Sequence, residues 1–356
     1  MSVYIIAEAG VNHNGSLQLA KELVHAAAKA GADAVKFQTF QASKLVSKHA
    51  AKADYQKKTT DAAESQLEMI RKLELSPADH LELMNECRAA GIEFLSTPFD
   101  FPSLELLTNE LKLQTLKISS GDITNLPLLY RAGRSGANII LSSGISTLGD
   151  VEEALGALAF AFSANNEEPS LGAFRRAYFS EEGQARLKQK VALLHCTTNY
   201  PTDFQDVHLQ KMLTLRQAFG LQTGYSDHTT GTEISVAAVA LGAQIIEKHF
   251  TLDKLMEGPD HQASMEPDEL TLLISQIRHV ETALGMPTKI PAASELVNAA
   301  PARKSVVAAK PIAKGETMSE SNLTLKRPGT GLPPSMYWNL LGKPASKEYD
   351  TDDLIE

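Results

Sequence analysis

"QIIEKHFTLDK" (residues 244–254) starts as a buried strand and ends as a polar edge. Ile245 and Ile246 are β-branched and apolar, the residues a parallel strand favours. Glu247, Lys248 and His249 follow at once. Seven other short apolar runs end the same way, in small or polar residues. They are "VYIIAEAG" (3–10), "DAVKFQTF" (33–40), "IEFLSTPF" (92–99), "TLKISSGD" (115–122), "NIILSSG" (138–144), "VALLHCTT" (191–198) and "QTGYSDH" (222–228). Helical patterns lie between them. "SLQLAKELVHAAAKAG" (16–31) has a Ser N-cap and a Gly stop, and "SPADHLELMNECRAAG" (76–91) opens with Ser76, Pro77 and an acid in the first turn. "TEISVAAVALGA" (232–243) is small and apolar enough to pack closely on a sheet. Strand–helix alternation argues for a parallel sheet, and eight units argue for a closed (β/α)₈ barrel of the α/β class. An open doubly wound sheet is the alternative, but no G-x-G-x-x-G follows the first strand.

The 356 residues are 43% hydrophobic and 22% charged, a globular balance with enough core to fold without staples. A net charge of −9 leaves no basic field for nucleic acid, so an anionic substrate needs a local positive site. Cys87 and Cys196 lie far apart, which disfavours disulfides and thiolate zinc sites. "MSVYIIAEAG" (1–10) lacks the charged region and long apolar stretch of a signal peptide. No run approaches the roughly 18 apolar residues of a membrane span. The expectation is a soluble, cytoplasmic protein.

The barrel is expected over residues 1–283, a Pro/Ala-rich linker over 284–302, and a small β-rich unit over 303–356. A unit of that size is marginal alone, so it is expected to dock on its own or a partner's barrel. Tyr337 and Trp338 are expected in its core. Two segments exceed the barrel plan: 41–75, read as a lid, and 163–190, read as a solvated surface insertion.

Catalytic groups of such barrels sit at the C-terminal strand ends. Collected there are Glu8, Asn12 and His13; Lys36 and Gln38; Ser96 and Thr97; Lys117, Ser120 and Asp122; Ser142 and Ser143; His195, Thr197, Thr198 and Tyr200; Ser226, Asp227 and His228; and Glu247, Lys248 and His249. Lys36 and Lys117, with hydroxyls at Ser120, Ser142 and Ser226, suit a phosphate or carboxylate. The bland alternative is a rim salt bridge. His228 and His249 end neighbouring strands, about 4.8 Å apart, and can converge on one divalent cation such as Mn²⁺; alternatively each is a hydrogen-bonded histidine without metal. The loop "MEGPDHQASMEPDEL" (256–270), with Asp260 and His261, either covers the mouth or is plain solvated loop. Lys117 alone also fits a Schiff-base lyase. Cys196 reads as a small buried residue rather than a nucleophile.

The motifs "IIAEAGVNHNGS" (5–16), "AVKFQTF" (34–40), "LKISSGDITNLPLL" (116–129), "GYSDHT" (224–229), "IEKHFTLDK" (246–254), "GPDHQASMEPDEL" (258–270) and "LTLKRPGTG" (323–331) resemble, in order, the bacterial sialic acid synthase family. That resemblance implies a (β/α)₈ barrel followed by an antifreeze-like (SAF) domain, in a domain-swapped homodimer. It implies an enzyme joining phosphoenolpyruvate to an open-chain N-acetylated hexose, making a nine-carbon 2-keto acid and releasing phosphate. N-acetylmannosamine is the expected acceptor, giving N-acetylneuraminate. The alternative is a 2,4-diacetamido-2,4,6-trideoxyhexose, giving N,N′-diacetyllegionaminate or a related nonulosonate.

Carried onto this chain, His228 and His249 become ligands of Mn²⁺ or Mg²⁺, and Lys36, Lys117, Ser120, Ser142 and Ser226 resemble the phosphoenolpyruvate set. Glu8 resembles the carboxylate at the reacting carbons. Gln38, Thr97, Tyr200 and Asp260 match the substrate shell, and Arg327 would reach in trans to the sugar's acetamido group. Asp122 stands where the family has Glu, an arm one methylene shorter, and Thr198 stands where some members have Asn. A non-catalytic glycan-binding protein on a degenerate barrel is the reading from another class. The retained histidines and lysines argue against it.

Overall fold

The computed structural model describes residues 2–47, 49–50, 52, 64–163 and 167–356. Eight parallel strands build the larger unit: β1 (Tyr4–Gly10), β2 (Ala34–Thr39), β3 (Glu93–Pro98), β4 (Thr115–Ile118), β5 (Asn138–Ser142), β6 (Val191–Cys196), β7 (Gln222–Asp227) and β8 (Ile245–His249). Their ladder order is β3-β2-β1-β8-β7-β6-β5-β4. The β1–β8 ladder joins the first strand to the last, setting Glu8 opposite His249. β3 and β4 run side by side and complete the ring. The expected eight strands all form, and the fold is the (β/α)₈ barrel.

The helices form where their caps are written. Ser76 accepts from the Asp79 N–H while the Asp79 carboxylate accepts from the Ser76 N–H, Pro77 takes the first helical position, and Gly91 closes helix Pro77–Ala90 at φ 72°. Ser16 and Gly31 bracket Leu17–Ala30 in the same way. Each such cap contributes about 1 kcal/mol. The helices bury Leu23, Val24, Leu83, Leu128 and Leu158 against the outward faces of the strands.

Side chains alternate across a strand with period two, so every second residue points into the ring. At its lower level the interior is apolar: Ile6, Ala34, Leu95, Ile140, Ala192, Leu194 and Ile245 pack together. Two residues further along the same strands come Glu8, Lys36, Thr97, Ser142, Cys196 and Glu247. The site therefore sits one pleat above a dry plug.

Of the excursion 41–75, residues 48, 51 and 53–63 lie outside the described residues. Its helices Ala42–Leu45 and Gln66–Arg71 pack on each other. The 163–190 segment, residues 164–166 aside, differs from the solvated insertion expected. Its helices Leu171–Phe179 and Glu181–Lys190 bury Ala173, Phe174 and Leu187, with the Phe174 ring 5.3 Å from Phe160. Its polar residues occupy one face only, which hides the apolar one from a composition reading.

A second compact unit spans Met286–Glu356. Its antiparallel pair, β9 (Ser305–Ala308) and β10 (Leu323–Lys326), closes over Val306, Ile312, Met318, Leu323, Tyr349 and Ile355. Trp338 departs from expectation. It is 75% exposed, and only Tyr337 of that pair packs against this core. No helix among the described residues is long and apolar enough to cross a membrane.

Candidate active site

A cavity of about 570 Å³ opens at the C-terminal end of the barrel. Twelve of the fourteen residues assigned from sequence line it: Glu8, Lys36, Gln38, Thr97, Lys117, Ser120, Ser142, Tyr200, Ser226, His228, His249 and Asp260. Asp122 does not. Its carboxylate accepts from Ser119 Oγ at 3.0 Å and Asn125 Nδ2 at 3.1 Å, inside its own turn. Arg327 belongs to the second unit, where its Nε donates to the Ala302 carbonyl.

Four buried charges form the floor. Lys36 Nζ lies 2.5 Å from Glu8 Oε2 and 3.8 Å from Glu247 Oε2, and Lys117 Nζ lies 3.4 Å from Glu247 Oε1. Ser226 Oγ donates to Glu247 at 2.8 Å, and Gln38 Nε2 donates to Glu8 at 3.1 Å. The two carboxylates are driven apart. Burial pushes Glu8 above the usual carboxylate range, with the Glu247 charge adding to it and Lys36 opposing. Burial opposes ionisation of Glu247 too, but Lys117 and Lys36 outweigh it and pull its carboxyl down to about 2. Paired titratable groups with opposed shifts mark sites of chemistry.

Glu247 is a strand-end residue to which the motifs assign no role. Alternation would have supplied one: Ile245, Glu247 and His249 share a face, as do Ile6 and Glu8. The same rule sends Ser96, His195, Asp227 and Lys248 to the outside of the ring. His195 Nε2 donates to the Val207 carbonyl at 2.7 Å, and Asp227 binds Lys248, Thr229 and Ser235. Neither lines the cavity.

The β5 and β6 ends approach closely at Gly144, whose N–H donates to Ser120 Oγ at 2.9 Å. A Cβ there would meet Thr198 Oγ1 at 2.3 Å and Ser120 Oγ at 2.8 Å, so only glycine fits. Ser120 Oγ also lies 3.0 Å from Cys196 Sγ. Ser142 Oγ is buried without a hydrogen-bond partner among the described residues.

The two imidazoles meet at the β7–β8 end, ring centroids 5.3 Å apart, with Tyr200 stacked on His228 at 4.2 Å. His228 Nδ1 lies 2.6 Å from the Thr197 carbonyl, which makes it the protonated nitrogen and leaves the Nε2 lone pair available. His249 Nδ1 is buried with no hydrogen-bond partner among the described residues, and Asp260 Oδ2 stands 3.9 Å away. Burial lowers His228 to about 4. His249 falls well below 6.5 through burial and the neighbouring His228 and Lys36 charges. Burial and the Glu8 charge raise Asp260 to about 7. Neutral imidazoles with buried lone pairs suit a divalent cation. Among the described residues no third His, Cys, Asp or Glu completes a protein ligand set, so the remaining positions would fall to oxygens of substrate or water.

A barrel whose mouth holds paired lysines, paired carboxylates and paired imidazoles is an enzyme for an anionic substrate. Residues 23–289 match the NeuB family and residues 303–354 the SAF domain. The chain belongs to the NeuB family, and is thus a phosphoenolpyruvate-dependent nonulosonate synthase, a transferase that forms a carbon–carbon bond. It is 51% identical to the N,N′-diacetyllegionaminic acid synthase of Campylobacter jejuni, over 99% of this chain and 98% of that one. Identity to the enzyme of the same name from Legionella pneumophila is 45%, over 96% and 90%. The crystal structure of an N-acetylneuraminic acid synthetase from Leptospira borgpetersenii superposes with a TM-score of 0.68 at 32% identity, covering 84% of this chain and 90% of that one.

Proposed function

We propose that this enzyme condenses phosphoenolpyruvate with 2,4-diacetamido-2,4,6-trideoxymannose to N,N′-diacetyllegionaminate, rather than N-acetylmannosamine to N-acetylneuraminate. The observation that carries this is the 51% identity, end to end, with a synthase of that name. It favours the trideoxy sugar over N-acetylmannosamine, the acceptor expected from the sequence.

In the proposed reaction Lys36 and Lys117 hold the phosphate and carboxylate of phosphoenolpyruvate, with Ser142 donating a hydrogen bond from its buried hydroxyl. Held there, C3 of phosphoenolpyruvate faces the sugar aldehyde, and this orientation supplies much of the rate gain. C3 attacks C1, and positive charge develops at C2 beside the Glu8 carboxylate, which stabilises it. Water adds at C2, and phosphate leaves by C–O cleavage. His228 and His249 would hold a divalent cation, which when bound would supply Lewis-acid polarisation of the aldehyde. Gln38, Thr97, Tyr200 and Asp260 orient the sugar. Family membership supports a domain-swapped homodimer with Arg327 acting in trans. Asp122 is left out of the sugar contacts by its own turn. Lys117 is buried and paired with Glu247 at 3.4 Å, a partner that a Schiff-base lysine would have to leave before its free amine could attack a carbonyl.

The test is phosphate release from phosphoenolpyruvate with each sugar, with Mn²⁺ and with EDTA. Metal-dependent release with the trideoxy sugar preferred supports the proposal. Preference for N-acetylmannosamine makes the enzyme an N-acetylneuraminate synthase, and no release with either sugar sinks both readings.

A further inference from the structure

The cavity is lined by unevenly distributed polar and apolar residues. Its floor and its β7–β8 side carry the ions and imidazoles described above. The flank built from the segments after β1, β2 and β3 is mostly apolar, with Ser47 and Gln66 as polar residues among its lining. Val11, Phe40 and Leu73 form a small buried cluster there, with Leu45, Ile70 and Phe99 packed on it. Phe40 and Phe99 meet edge to face, centroids 6.4 Å apart. Leu45, Val46, Ile70 and Phe99 are only half-buried, and all four line the cavity. They spend their remaining apolar surface on the substrate space.

An open-chain hexose reacts at C1, which the proposed chemistry holds beside the lysines and imidazoles. C6 is the far end of its carbon chain, directed away from that polar corner. A C6 hydroxymethyl placed against Leu45, Val46, Ile70 and Phe99 would lose water and meet only carbon in those four side chains. A C6 methyl loses nothing and removes apolar surface from water.

We propose that the flank formed by Leu45, Val46, Ile70 and Phe99 is the subsite for C6, and that it selects acceptors whose C6 is a methyl group. This rests on the nonulosonate synthase reaction proposed above and adds the residues that read one carbon of the acceptor. An apolar pocket rejects an added hydroxyl only moderately, by roughly 10- to 100-fold. Discrimination of that size is expected here.

The experiment compares two sugars that differ only at C6: 2-acetamido-2-deoxymannose and its 6-deoxy analogue, both lacking the 4-acetamido group. The wild-type enzyme should favour the 6-deoxy sugar about 10-fold or more in kcat/KM. Val46→Thr and Ile70→Thr, each adding a hydroxyl to the flank, should lower that ratio at least about 3-fold, while KM for phosphoenolpyruvate stays constant. A partly unfolded variant loses activity on both sugars equally, so the ratio isolates recognition. A wild-type ratio near one overturns the inference, as does a ratio that neither variant moves. If the 6-deoxy sugar wins but a 4-acetamido group brings no gain, the subsite stands and the legionaminate assignment falls. If the 2,4-diacetamido sugar is preferred while the C6 pair react equally, the assignment stands and the subsite falls.

Discussion

Lys117 and Glu247 show how one side chain sets the state of another. The carboxyl of Glu247 is fully buried, and burial alone would favour its protonated form. Lys117 at 3.4 Å and Lys36 at 3.8 Å reverse that. Lys117→Met keeps the length of the side chain and removes its charge. We expect kcat/KM for phosphoenolpyruvate to fall about 10²- to 10³-fold, the usual loss when one preorganised electrostatic partner is removed. Steady-state kinetics in saturating sugar measures it. A change of under threefold would place Lys117 in a structural rather than a substrate-holding role. Reading such roles from sequence works for residue type and fails for direction. Glu247 and Lys248 are neighbours in the chain, yet one faces the cavity and the other the helices, because a strand turns each successive side chain through half a circle.

The outward partners of that alternation fasten the strands to the helix shell. Lys248 Nζ lies 3.0 Å from Asp227 Oδ2 and donates to the Thr229 carbonyl at 2.6 Å. Asp227 also accepts from Thr229 Oγ1 and from Ser235 Oγ on helix Glu233–Ala240. The pair is therefore buried where β7, β8 and that helix meet, directly behind His228 and His249. Lys248→Met strands the Asp227 charge, and breaking a buried pair costs about 3–5 kcal/mol. Urea unfolding should show a loss of that size, partly recovered in the Lys248→Met/Asp227→Leu double variant. A loss below about 1 kcal/mol in the single variant would contradict this account. All eight strands were legible because each is a short run closed by small or polar residues and followed by a helical pattern. The burial of Ala173, Phe174 and Leu187 within 171–190 was not, because a polar composition conceals a buried face that only packing reveals.

The barrel also responds to acid as a unit. Burial pushes the His13 imidazole from 6.5 down to about 4; His80 adds to this, Asp79 opposes it and His261 adds a little more. Between those pH values the unfolded chain binds a proton that the folded chain refuses. The His13 contribution to stability is therefore complete above about pH 6.5 and drains away as pH falls towards 4, while Asp260, raised to about 7, contributes in the opposite direction. At about 1.4 kcal/mol per pH unit, the loss over that interval approaches 3 kcal/mol. Burial also lowers His80, which acts in the same direction as His13. Urea midpoints measured from pH 7 to pH 4 should fall, and His13→Asn should flatten the slope while lowering stability at pH 7. A midpoint independent of pH would rule this out.

The amino-acid sequence by itself determined the number and order of strands, the helix ends and the residue types at the mouth, because periodicity, caps and turns are local properties. It also carried the family, through motifs read in order. Which strand-end residues face one another was decided only when the sheet closed. Glu8 meets Lys36 across β1 and β2, and His249 across β1 and β8, partners far apart in the chain. Closure likewise gathered Phe40, Leu45, Ile70 and Phe99 into one apolar flank. Contacts between distant segments depend on how the ring closes and which way each strand is pleated, and neither is written in any single stretch of residues.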